Sequence, residues 1–194
     1  SGSTSYKYDR RGLVRLEEHV VSDPVLGVSD FSTPMSYDAD GNRTAIADVR
    51  YTYDFAARPA TAAIVCSGCP TTTVVSSVSY LPFGPELTLQ FGNGMHQSRQ
   101  FDLRYREKQN LLTSGTSATV ARYDYNLDAV GNITDMLDGV DHTFDRHYSY
   151  DDLSRLVGST TGTSLWGSAG FSYDAMGNLT VINSGTPRVQ SFSY

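Results

Sequence analysis

The chain has 194 residues, a net charge of −6 and only 19% charged residues, a length that allows one domain with its own apolar core. The lack of any cluster of Lys or Arg to neutralise phosphates argues against nucleic acid and anionic membrane surfaces as partners, and no run approaches the roughly 18 apolar residues of a membrane helix, so membrane insertion is not expected. Tyr, Thr, Ser and Gly are plentiful and Lys is nearly absent, which favours strands and turns and predicts an all-β chain.

Residues 1–5, beginning Ser1-Gly2-Ser3-Thr4, read as an expression scar or linker without a signal peptide. From residue 6 onward one pattern recurs: aromatic, x, Tyr, Asp, x, x, Gly, Asn or Arg, apolar, Thr. Its first copy is Tyr6-Lys7-Tyr8-Asp9-Arg10-Arg11-Gly12, followed by Met35-Ser36-Tyr37-Asp38-Ala39-Asp40-Gly41-Asn42 and by Tyr51-Thr52-Tyr53-Asp54, with Ala57 in the glycine slot. Next come Cys66 and Cys69, read as a hairpin tip whose thiols can pair; no second Cys pair or close His pair completes a zinc site. Pro70 to Val75 reads as strand, the wrong setting for a thioredoxin-like thiol.

Tyr80-Leu81-Pro82-Phe83-Gly84 keeps Tyr and Gly but loses Asp, and Phe91-Gly92-Asn93-Gly94-Met95 carries the Asn-Gly hairpin signal. Phe101-Asp102-Leu103-Arg104-Tyr105 puts Tyr in the glycine slot, and Tyr125-Asn126-Leu127-Asp128 restores it at Gly131. Asp135, Asp138, Asp141 and Asp145 surround Gly139 and read as an acidic hairpin tip, lacking the order of an EF-hand. His142 and His147, five apart, would face opposite sides of one strand and could not share a metal. Tyr148-Ser149-Tyr150-Asp151 has Ser154 in the glycine slot, the connectors 159–164 and 183–187 flank Phe171-Ser172-Tyr173-Asp174-Ala175-Met176-Gly177, and the chain stops at Phe192-Ser193-Tyr194, one residue before the next expected Asp. Residues 6–194 are thus expected to be one array, truncated within a repeat.

The pattern has a mechanical meaning. Aromatics two apart share one face of a strand, so each pair makes an apolar footing. Asp opens the turn, its carboxylate accepting the N–H two residues on, and Gly three positions after Asp takes φ > 0 to close a type I turn with a G1 bulge. The structural positions are Tyr8, Asp9, Gly12, Tyr37, Asp38, Gly41, Tyr53, Asp54, Tyr80, Gly84, Asp102, Asp128, Gly131, Tyr150, Asp151, Tyr173, Asp174 and Gly177. The glycine slots lie 16 to 29 residues apart, room for two strands and two turns, which predicts about 14 to 16 strands in a curved, open antiparallel array of hairpins.

These copies resemble the bacterial RHS/YD-repeat proteins and, more distantly, the YD shells of teneurins. The resemblance implies a segment of a spiral shell, secreted or at the cell surface, that in Tc-type and polymorphic RHS toxins encloses a C-terminal toxic domain. It implies as partners the remainder of the same chain or its toxin cargo, together with self-association through unprotected sheet edges. No catalytic residue, metal or cofactor is implied: the family's self-cleaving core segment is not recognisable, Asp23-Pro24-Val25-Leu26-Gly27 matching its Asp-Pro-x-Gly element only superficially. No Gly-x-Ser-x-Gly elbow is present either. The sequons at Asn42, Asn132 and Asn178 arise from the repeat itself. The rival reading is a surface or carbohydrate-binding adhesion module that stacks sugar rings on Trp166, against which stands packing of Trp166 in the core or shell lining.

Overall fold

The computed structural model describes residues 2–23, 27–162, 165, 167–184 and 188–194. It is an open antiparallel sheet of seventeen strands, with no α-helix among the described residues and one 3-10 turn at His142–Phe144. The strands are β1 (Gly2–Tyr8), β2 (Val14–Asp23), β3 (Gly27–Tyr37), β4 (Arg43–Ile46), β5 (Val49–Tyr53), β6 (Pro59–Ile64), β7 (Thr72–Tyr80), β8 (Glu86–Phe91) and β9 (His96–Phe101). They continue as β10 (Glu107–Thr113), β11 (Thr119–Leu127), β12 (Ile133–Asp138), β13 (Arg146–Tyr150), β14 (Leu156–Thr161), β15 (Ser168–Tyr173), β16 (Leu179–Ser184) and β17 (Arg188–Ser191). The count exceeds the expected range because eight Tyr-Asp-type turns separate sixteen strands and β17 follows the last of them.

The chain divides into two units, residues 1–79 with 89–94, and residues 80–88 with 95–194. In the first, β1 pairs with β2 from Gly2↔Val21 to Tyr8↔Val14, so residues 2–5, expected to be linker, belong to a strand. The long β2–β3 ladder follows, then β3–β4, a β4–β5 pair closed by a tight turn, β5–β6 and β6–β7. A disulfide joins Cys66 to Cys69 in the loop between β6 and β7, the pairing left open by the sequence. In the second unit each strand from β9 to β17 pairs with its chain neighbours, the β12–β13 ladder being short, with Asp135↔His147 and Met136↔Arg146.

The described residues do not build the apolar core that the length allows. Among the described residues the one buried hydrophobic side chain is Ala45, joined by Ser159 and Thr161. The repeat supplies ladder bonds to chain neighbours and nothing to lay across either face, so most of the aromatic pairs stay half-buried. Stability must come from backbone ladders, turn networks and partial burial of large side chains.

Candidate functional site: the Tyr-Asp turns

Each Tyr-Asp turn uses the same two backbone bonds. The Asp N–H donates to the carbonyl four residues on, as Asp9 to Leu13 at 2.8 Å and Asp128 to Asn132 at 2.9 Å, and the residue in the glycine slot donates back to the Asp carbonyl. The ladder slips by one residue just before the Asp, between Ser36 and Tyr37, Thr52 and Tyr53, Ser149 and Tyr150, and Ser172 and Tyr173, which is the expected bulge. Gly12, Gly41, Gly131 and Gly177 have φ of 81°, 90°, 111° and 89°, and the substitutes Ala57, Tyr105 and Ser154 hold φ of 59°, 61° and 59°. The turn geometry therefore prevails over the side chain.

Gly84 departs from the expectation. It makes the turn bond to Leu81 but does not lie in the left-handed region; its need for glycine is steric, because a side chain there would collide with the ring of Tyr105 in the following turn. A further turn of the same form escaped the sequence reading. Between β10 and β11, Ser114 N–H donates to Ala118, Ser117 (φ 64°) donates to Ser114, and the Ser114 hydroxyl takes the Ala118 N–H at 3.2 Å, standing in for the carboxylate.

The carboxylate does more than the sequence suggested. One oxygen accepts two N–H groups, two and four residues on: for Asp54 those of Ala56 (2.9 Å) and Arg58 (3.0 Å), for Asp174 those of Met176 (2.9 Å) and Asn178 (2.8 Å). The other oxygen takes the side chain in the Asn-or-Arg slot: Asn42, Asn132 and Asn178 through Nδ2, and Arg58, Arg106 and Arg155 through Nε. The first turn has Leu13 in that slot, and Arg11 Nε reaches Asp9 instead. That slot was visible as a repeated Asn or Arg, the signal that its chemistry mattered.

All seven turn carboxylates consequently sit below the usual carboxylate range. For Asp9, Asp54, Asp102 and Asp151 the largest cause is the backbone N–H four residues on; for Asp38 and Asp174 it is the Asn side-chain amide. In Asp128 desolvation pushes upward but is outweighed by the Asn132 side chain and by backbone N–H bonds.

The second tyrosine of the motif is a stitch between repeats as well as a footing. Tyr37, Tyr53, Tyr150 and Tyr173 each donate the phenol O–H to a carbonyl two residues past the glycine slot of the preceding repeat, Val14, Arg43, Ile133 and Leu156, at 2.7 to 2.9 Å. Leu127 and Phe101, in the same slot, lack the hydroxyl. Arginines add a second stitch from turn to turn. Arg11 donates to the Asp38 and Ala39 carbonyls, Arg104 to Ala129, Arg106 to Asp128, and Arg155 to Asp174 while lying 4.7 Å over the Tyr173 ring.

The remaining candidates for chemistry are engaged in local structure. Asp138 accepts the N–H groups of Val140 and Asp141, Asp141 caps the 3-10 turn through Thr143, and Asp145 takes the Asp138 N–H and His142 Nδ1. His147 pairs with Asp135 at 2.7 Å, apart from His142. No group of three or more His, Cys, Asp or Glu stands ready to hold a metal among the described residues. The three sequon asparagines have their amide nitrogens bonded to turn carboxylates. Trp166 and residues 24–26, 163–164 and 185–187 lie outside the described residues.

Solved structures of Tc toxin complexes superpose on nearly the whole chain. The Tc holotoxin pore of Photorhabdus luminescens matches with a TM-score of 0.80 at 17% identity, covering 94% of this chain and 11% of that one. The chain has the RHS/YD-repeat fold. Two further structures carry the same likeness. TcdB2–TccC3 matches with a TM-score of 0.74 at 16% identity over 95% of this chain. TcdB2–TccC3 without its hypervariable C-terminal region matches with 0.76 at 16% identity over 96%. In both, the match spans 11% of the other chain. No protein-family model and no curated protein sequence matches the chain.

Proposed function

We propose that this chain is a passive scaffold, a stretch of RHS/YD-repeat wall that in a longer parent protein, secreted or displayed at the cell surface, encloses or presents a C-terminal toxin or effector. One observation carries the reading: the repeated polar groups, turn carboxylate, Asn or Arg partner and Tyr hydroxyl, are consumed by bonds that hold the turns and join one repeat to the next. Groups so engaged serve the structure of the wall. The fold likeness to Tc toxin chains supports the same reading.

The test uses the full-length parent under native conditions. Limited proteolysis should leave the downstream domain intact while the wall is folded, and cleave it once the wall is loosened by acid. A downstream domain that is cut as fast at neutral pH as in the denatured protein would rule out enclosure.

A further inference from the structure

Five turns of the second unit carry a large apolar side chain at the tip: Phe83, Leu103, Val130, Leu153 and Met176, exposed by 96%, 101%, 74%, 73% and 89%. Scattered exposed apolar residues are ordinary. These are a row. Each sits one or two places after the first residue of a turn that follows an odd-numbered strand, so in an antiparallel sheet all five share one edge of the unit. Two strands per repeat at about 4.8 Å each set the tips about 10 Å apart.

The row is held in place before any partner arrives. Tyr105 lies against Gly84, Arg104 and Arg106 reach the carbonyls of Ala129 and Asp128, Tyr150 reaches Ile133, and Arg155 reaches Asp174. Between two of the tips lies an open notch of about 380 Å³ bounded by Asp102, Leu103, Arg104, Arg106 and Ala129. Of the two cations there, Arg106 is paired with Asp102 at 2.6 Å and Arg104 is bonded to the Ala129 carbonyl.

We infer that this row of turn tips is a self-association surface whose occupant is the same row on a second copy of the chain. Period fits that occupant: a partner must present knobs about every 10 Å over about 40 Å, and an identical row related by a two-fold axis does so. Area agrees, since the five side chains offer on the order of 600 Å² of apolar surface, most of the roughly 800 Å² per partner in a standard interface. This pairing differs from ladder pairing at β1, a strand exposed along its whole length.

Sedimentation equilibrium of the 194-residue chain, from about 1 to about 100 μM, tests this. The expected result is a reversible dimer whose dissociation constant rises about 100-fold or more in the double variant Leu103→Glu, Leu153→Glu. Both positions are solvent-exposed, so circular dichroism and the thermal midpoint, read at a concentration where both proteins are monomeric, should not change. The β1 variant Ser3→Lys should leave the dimer intact. A monomer at every concentration, or a dimer that survives the double variant, overturns the inference, as does a dimer lost with Ser3→Lys alone.

Discussion

Ala57, Tyr105 and Ser154 hold left-handed φ values of 59°, 61° and 59°, a region that costs a residue with a Cβ roughly 1 to 2 kcal/mol. The turn bonds around them are as short as in the glycine turns, Ala57 and Ser154 donating at 3.0 and 2.9 Å, so the strain is borne by the residue without opening the turn. Replacing Ala57 or Ser154 by Gly should stabilise the chain by about 1 kcal/mol, read as a rise in the denaturation midpoint. Tyr105→Gly should not, because it also removes the ring that lies against Gly84. A fall in both Ala57→Gly and Ser154→Gly would contradict the turn geometry. The three exceptions to one sequence slot thus separate into two that tolerate strain and one that uses it.

At the scale of the hairpin, two stitches join each repeat to its neighbour. The phenol bond is testable by deletion: Tyr37→Phe and Tyr173→Phe should each cost about 1 kcal/mol, while Tyr8→Phe, at a ring 59% exposed, should be silent by the same denaturation measurement. The arginine bond is testable by addition. Arg11 and Arg104, two places after their Asp, reach carbonyls of the next turn; the corresponding residue in the second turn is Asp40, exposed and of the wrong charge. Asp40→Arg should therefore bridge to the turn at Asp54 and stabilise by about 0.5 to 1.5 kcal/mol. An unchanged or lowered midpoint would show that the arginine bridges of the other turns are incidental.

For the molecule as a whole, the scarcity of buried apolar side chains among the described residues makes the turn carboxylates weigh heavily, and they titrate in one direction. Each is held below the ordinary carboxylate pKa in the folded chain, so the unfolded chain binds protons more readily at acid pH. Their stabilisation is complete above the unfolded value near 4 and is lost as pH falls through the lower folded values. The thermal midpoint should stay level from about pH 7 to about pH 5 and drop steeply below about pH 4, with a shallower drop in the combined variant Asp128→Asn, Asp174→Asn. A level midpoint at acid pH would mean that the carboxylates contribute nothing to folding.

The sequence by itself determined the local geometry: the Tyr-Asp frame placed the strands, the bulges and the left-handed slots, even where Ala or Ser replaced Gly, because turn closure depends only on residues within one short segment. It could not show the bond from Tyr173 to Leu156 or from Arg104 to Ala129, since those partners lie 17 and 25 residues apart and meet only after the ladders align. It misjudged Gly84, whose constraint is a ring from another turn, and missed Ser114, whose hydroxyl does the work of a carboxylate. Its length allowed a core, and whether one forms was for tertiary structure to decide. Burial depends on what lies across each face, and within these repeats every strand finds its partners beside it in the sheet.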